Sequence, residues 1–147
     1  MILKSLDKYR DFGLLVLRAG IGAAFVCHGF PKLAAGAEIW EKVGGAMSLM
    51  GVPGPAKLWG LMAALSEFGG GLLLIAGYCF RPAAAAMLFT MTVAVRMHLH
   101  GGDPFGKYSH ALEMGIVFLG LFFTGPGRFS MDGDHSAKSG WDKTKES

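Results

Sequence analysis

Arg18, His28 and Lys32 share one apolar stretch, FGLLVLRAGIGAAFVCHGFPK, running from Phe12 to Lys32. At ~100° per residue they fall within about 80° of one another around a helix. His28 and Lys32 are four apart and occupy one face, a spacing that suits a polar clamp on the head of a ligand, such as a carbonyl or an anion. Glu67 is the lone carboxylate of a second apolar run. A carboxylate at such depth is neutral or paired, so Glu67 is expected either to accept and release protons or to tie helices as the partner of Arg18 or His28. Glu113 stands three residues after His110, and Arg96 reaches it if the third and fourth runs are neighbours. The chemistry is therefore assigned as proton handling by Glu67 and Glu113, with ligand binding by His28, Lys32 and Arg96.

The remaining polar residues read as structure. Arg18 is deeper than the others and serves as a tie between helices. Arg81, Arg128 and Asp132 belong to turns at the opposite end, with Asp132 expected to pair with Arg81. His98, His100 and His110 invite a metal reading, since imidazole suits zinc, copper or iron. Two histidines two apart on a helix face apart, however, and there is no cysteine cluster or His-Glu-x-x-His. No metal centre is expected.

The elements that must position these groups follow from composition. Apolar residues make up 52% of the 147 and charged residues 17%, against about a quarter charged in ordinary soluble domains. The apolar residues fall in four runs, about 12–30, 57–80, 82–100 and 108–124, each long enough for a bilayer-spanning helix. The fold class is all-α, a polytopic four-helix membrane bundle, with residues 1–132 as a single domain and 133–147 as a polar, flexible tail. Pro31 is expected to end the first span. Ile39, Trp40, Val43, Met47 and Met50 then recur at near-helical spacing, predicting a short interfacial helix in the first loop. Gly60, Ala63, Ala64, Glu67, Gly70, Gly71 and Leu74 form one small-residue face on the second span, suited to close helix contact. Such faces serve contacts within a chain or between copies equally, which leaves the oligomeric state open.

An uncleaved first span is expected, because Arg18 interrupts the apolar region and Asp7 and Asp11 dilute its basic start. The net charge of +3 reads as an orientation signal rather than a nucleic-acid footprint. Lys4, Lys8, Arg10, Arg81, Arg128, Lys138, Lys143 and Lys145 fall on the side of the two tails. Lys32, Lys42, Lys57, Arg96 and Lys107 fall on the other, which favours cytoplasmic termini. The same up-and-down topology gathers His28, Lys32, Arg96, His98, His100, His110 and Glu113 at the far end, with Glu67 below them. Cys27 and Cys79 sort to opposite ends, too far apart in depth for a disulfide.

In combination, LRAGIGAAFVCHGFPKL, SEFGGGLLLIAGYCFRPAA, Glu113 and GPGRFSMD (Gly125–Asp132) resemble the DoxX family of small four-helix membrane proteins over about residues 14–132. The resemblance implies a redox-linked role facing a quinone, since relatives include a subunit type of thiosulfate:quinone oxidoreductase. The corresponding expectation is a membrane component of a redox system that holds a quinone or similar apolar carrier at the far end of the bundle. The alternatives are a non-catalytic scaffold anchoring a soluble redox enzyme and a small-molecule carrier. No flavin, nucleotide or iron–sulfur motif is present in the sequence.

Overall fold

The structure, a computed structural model, describes residues 4–133; the remainder of the expected tail lies outside the described residues. Five α-helices follow one another: α1 (Arg10–Ala34), α2 (Ala37–Gly44), α3 (Ala56–Ala76), α4 (Phe80–His100) and α5 (Phe105–Thr124). One 3₁₀ segment (Lys4–Tyr9) leads into α1 and another (Gly45–Met50) continues α2. Three helical stretches, Leu6–Ala34, α3 and α4, are long and apolar enough to cross a membrane. The 20 residues of α5 span ~30 Å at helical rise, although its first turns carry Lys107, His110 and Glu113. The chain is an all-α polytopic membrane protein.

Two local expectations change. Pro31 does not end α1, which continues to Ala34. Its ring costs one backbone donor in the last turn, where its fixed φ suits a helix and its carbonyl still accepts from the Ala35 N–H at 2.9 Å. The short helix of the first loop is present as α2 and its 3₁₀ extension, but it lies across the start of α3. A Cβ on Gly44 would run into the Ala56 carbonyl, and one on Gly60 into the Trp40 carbonyl, so the two backbones meet without side chains between them. Trp40 Nε1 donates to the Lys32 carbonyl at 2.9 Å, fastening α2 to the end of α1.

The long helices pack in the order α1, α3, α4, α5. Lipid tails are as apolar as the core, so close van der Waals packing carries these contacts. Gly22 of α1 faces Gly71 of α3, where an added Cβ would sit 2.6 Å from the Gly71 carbonyl oxygen. Gly60, Ala64, Glu67, Gly70, Gly71 and Leu74 are all buried, as the face predicted for α3 requires. Between α1 and α5 the gap is filled by rings instead, with Phe25 edge-on to Phe118 at 4.9 Å.

Arg18 organises the end of the molecule near the tails. It is 2% exposed and donates to the carbonyls of Leu74, Ile75 and Phe129. Leu74 and Ile75 lie in the last turn of α3, whose carbonyls carry partial negative charge, so a cation without a carboxylate partner is held there through its two terminal nitrogens, while its buried Nε has no partner among the described residues. The 125–133 segment docks on the same turn: Met131 and Asp132 donate backbone N–H bonds to Ala76 and Gly77. Asp132 does not pair with Arg81. Its Oδ2 accepts the Phe80 N–H at 2.8 Å, which caps α4, while Arg81 Nε donates to the Phe122 carbonyl. The Arg128 backbone N–H reaches Asp11 Oδ1 at 3.3 Å. Arg18, Arg81 and Asp132 thus bond between elements at this end through their side chains, and Arg128 through its backbone N–H alone.

Candidate ligand cavity

At the far end, Lys32 turns inward from the last turn of α1 rather than out to the headgroups. Its Nζ donates to both oxygens of Glu67, at 2.7 and 2.6 Å. The partner of Glu67 is therefore Lys32, and neither Arg18 nor His28. Chain direction explains the difference. With α1 and α3 antiparallel and Gly22 set against Gly71, Lys32 comes level with the first half of α3, whereas Arg18 lies beside its last turn. The Glu67 side chain is 5% exposed and that of Lys32 39%. The pair is thus buried on the carboxylate side and open on the ammonium side.

The pair forms part of the wall of a cavity of about 430 Å³ between α3 and α4, within the ~300–1,000 Å³ range of small-molecule sites. Val43, Ala46 and Met47 of the crossing segment roof it, and Ala63, Ala86, Val93 and Ala94 give it smooth apolar sides. Ser66 and Thr90 line it and are joined by a hydroxyl–hydroxyl bond of 3.1 Å. Met62 and Phe89 are lining residues that are also about half exposed on the outer surface, 54% and 49%. They mark where the cavity opens laterally between two helices long and apolar enough to cross a membrane. A second cavity, about 200 Å³ between α4 and α5, is lined almost wholly by aliphatic residues and has no charged group.

His98 also lines the main cavity, near its roof. Its Nδ1 lies 2.8 Å from Asp103 Oδ2, and Lys107 Nζ lies 3.2 Å from the other oxygen of Asp103. The hydrogen bonds from His98 and then Lys107 hold the Asp103 carboxyl below its ordinary range, so it is ionised at neutral pH. From sequence His98 is weighed only as a metal ligand, yet a signal for the cavity wall is present. Ala86, Thr90, Ala94 and His98 are spaced by four, which sets two polar side chains along one small-residue stripe of α4.

The other far-end groups are not drawn into this cavity. His28 and His110 are exposed and lie against each other, ring centroids 5.7 Å apart, over the buried Phe25 at the seam of α1 and α5. Arg96 and Glu113 are exposed and form no ion pair with each other or with any other described residue. His100 is exposed at the end of α4. Among the described residues no three His, Cys, Asp or Glu side chains stand close enough to share a metal ion. The convergence expected at the far end therefore resolves into two places: Lys32, Glu67 and His98 around the cavity, and His28 with His110 on a separate seam.

The sequence pattern of the DoxX family matches residues 13–100, a stretch that contains Lys32, Glu67, His98 and every helix lining the cavity. The chain belongs to the DoxX family. It is 30% identical over 139 residues to the inner membrane protein YphA of Escherichia coli K12, covering 85% of this chain and 96% of that one. It is 31% identical over 130 residues to the inner membrane protein YqjF of the same organism, covering 86% and 95%. No solved structure matches it. With these relatives, this DoxX protein is a multi-pass protein of the inner, or plasma, membrane.

Proposed function

We propose that this DoxX protein binds an apolar carrier with a polar ring head, of the quinone class, as the membrane component of a redox system. The observation that carries this reading is the Lys32–Glu67 pair, set in the wall of an apolar cavity whose mouth faces lipid. A buried ion pair is seldom a stability device, since desolvation offsets most of its attraction. Ionisable groups inside a membrane domain more often mark a ligand or proton path. An ammonium uses two of its three protons on Glu67 and keeps one for a ligand carbonyl. Glu67, hydrogen-bonded and level with the middle of α4, is the group placed to exchange a proton with that head. His28, Arg96 and Glu113 take no direct part in this reading.

Native mass spectrometry of the protein extracted in mild detergent, with its lipid-soluble fraction analysed alongside, tests the proposal. A quinone bound to the wild type and absent from Lys32→Met and Glu67→Gln is expected. A soluble partner protein retained with no small molecule would overturn it in favour of a scaffold.

A further inference from the structure

We propose that His98, oriented by Asp103, is the specificity residue of the cavity, and that it selects the hydroxyl-bearing, reduced form of the carrier. This inference rests on the quinone-class reading and adds which redox form the site prefers.

Asp103 sets the tautomer of His98. Asp103 touches His98 twice: its Oδ2 lies 2.8 Å from Nδ1, and its backbone N–H donates to the His98 carbonyl at 3.0 Å. Lys107 holds the other carboxylate oxygen at 3.2 Å. An ionised carboxylate only accepts, so the proton between the two groups sits on Nδ1. In the neutral ring Nε2 is then bare and acts as an acceptor. Among the described residues nothing bonds to it. His98 lines the cavity, and of its two ring nitrogens the one not taken by Asp103 is that acceptor.

Lys32, along the cavity from His98, is a donor. His98 stands eight residues beyond Thr90 on α4, ~12 Å at helical rise, and Thr90 is level with Glu67 through its bond to Ser66. The cavity therefore presents a donor at its inner end and an acceptor near its roof. A hydroxyl satisfies either, because its oxygen accepts and its hydrogen donates. A carbonyl satisfies only Lys32 and would set a lone pair against Nε2. A ring head bearing hydroxyls is favoured over the same head bearing carbonyls by one hydrogen bond. The imidazole also has somewhere to put a proton, since the cation formed on taking the ligand's proton at Nε2 is held by the Asp103 carboxylate.

The test compares decylubiquinol with decylubiquinone on the full chain in anaerobic nanodiscs, read by quenching of tryptophan fluorescence. One net hydrogen bond is worth ~1 kcal/mol, so the wild type should bind the quinol about three- to tenfold more tightly. In His98→Gln that preference should shrink to within about twofold. Asp103→Asn should behave in the same way, and Asp103→Glu should restore it. Nitrogen-15 spectra of the histidines give a readout that a merely structural role for Asp103 would not move: a protonated Nδ1 in the wild type, shifting toward a protonated Nε2 in Asp103→Asn. Equal affinity for the two forms, or a preference unchanged in His98→Gln, would overturn the inference while the quinone-class reading stood. Failure of the wild type to bind either form would overturn both.

Discussion

Single residues of one charge carry two different jobs. Arg18 and Lys32 are both cations on α1, yet one is satisfied by carbonyls and the other by a carboxylate. Arg18→Met should take a donor from the Leu74, Ile75 and Phe129 carbonyls, of which Leu74 keeps the Gly77 N–H. Thermal unfolding in detergent is expected to show a loss of about 2–4 kcal/mol, from the ~1–3 kcal/mol cost of each unsatisfied buried group, part of it recovered by relaxation. Glu67→Gln should cost less, about 1–3 kcal/mol, because Lys32 is partly open and its ammonium can move toward water. Arg18 was legible as a candidate tie between helices from its depth alone. The partner of Glu67 was not, because wheel angles say which face a residue occupies but nothing of which residue lies opposite. That register is set by where Gly22 meets Gly71, a contact between two glycines with no side-chain signal of its own. His98 was passed over for a related reason: its role depends on Asp103, which lies in the loop beyond the helix and outside its periodicity.

At the scale of elements, the crossing segment α2 decides whether the cavity has a roof. Gly44 and Gly60 allow it to lie directly on α3, so Gly44→Ala should push the two apart and destabilise the roof. Faster proteolysis between residues 37 and 55, with a lower melting temperature, is the expected result. Gly20→Ala is the control, since nothing lies within 4 Å of a Cβ there, and it should leave both measurements unchanged. The four long helices, the short one between the first pair and the buried face of α3 all followed from apolar runs, breakers and small-residue spacing. The sequence marked α2 as amphipathic, and that is where its information stopped. Amphipathicity fits a helix on a lipid headgroup layer as well as one on a neighbouring helix. Only the backbone approach at Gly44 and Gly60 separates the two. The continuation of α1 past Pro31 was hidden for a similar reason, since a proline in a last turn removes a donor without turning the chain.

At the scale of the whole molecule, the two ends of the bundle divide the work. The end near the tails is locked by Arg18, Asp132 and the 125–133 segment, while the far end holds the cavity between α3 and α4. From the excess of Lys and Arg near the tails we propose that the locked end faces the cytoplasm. Cys79, exposed in the turn before α4, provides the test: in a Cys27→Ser background, a membrane-impermeant maleimide should leave it unlabelled in intact cells and label it after lysis. The central claim concerns the cavity. It is tested most directly by photolabelling the membrane-embedded protein with an azido-quinone and mapping the adducts by mass spectrometry. Quinone binding in the cavity should give adducts on residues 59–67 of α3 and 86–98 of α4, suppressed by excess unlabelled quinone and by Lys32→Met. Adducts spread over the lipid-facing surface of all four long helices, or unaffected by competitor, would contradict it.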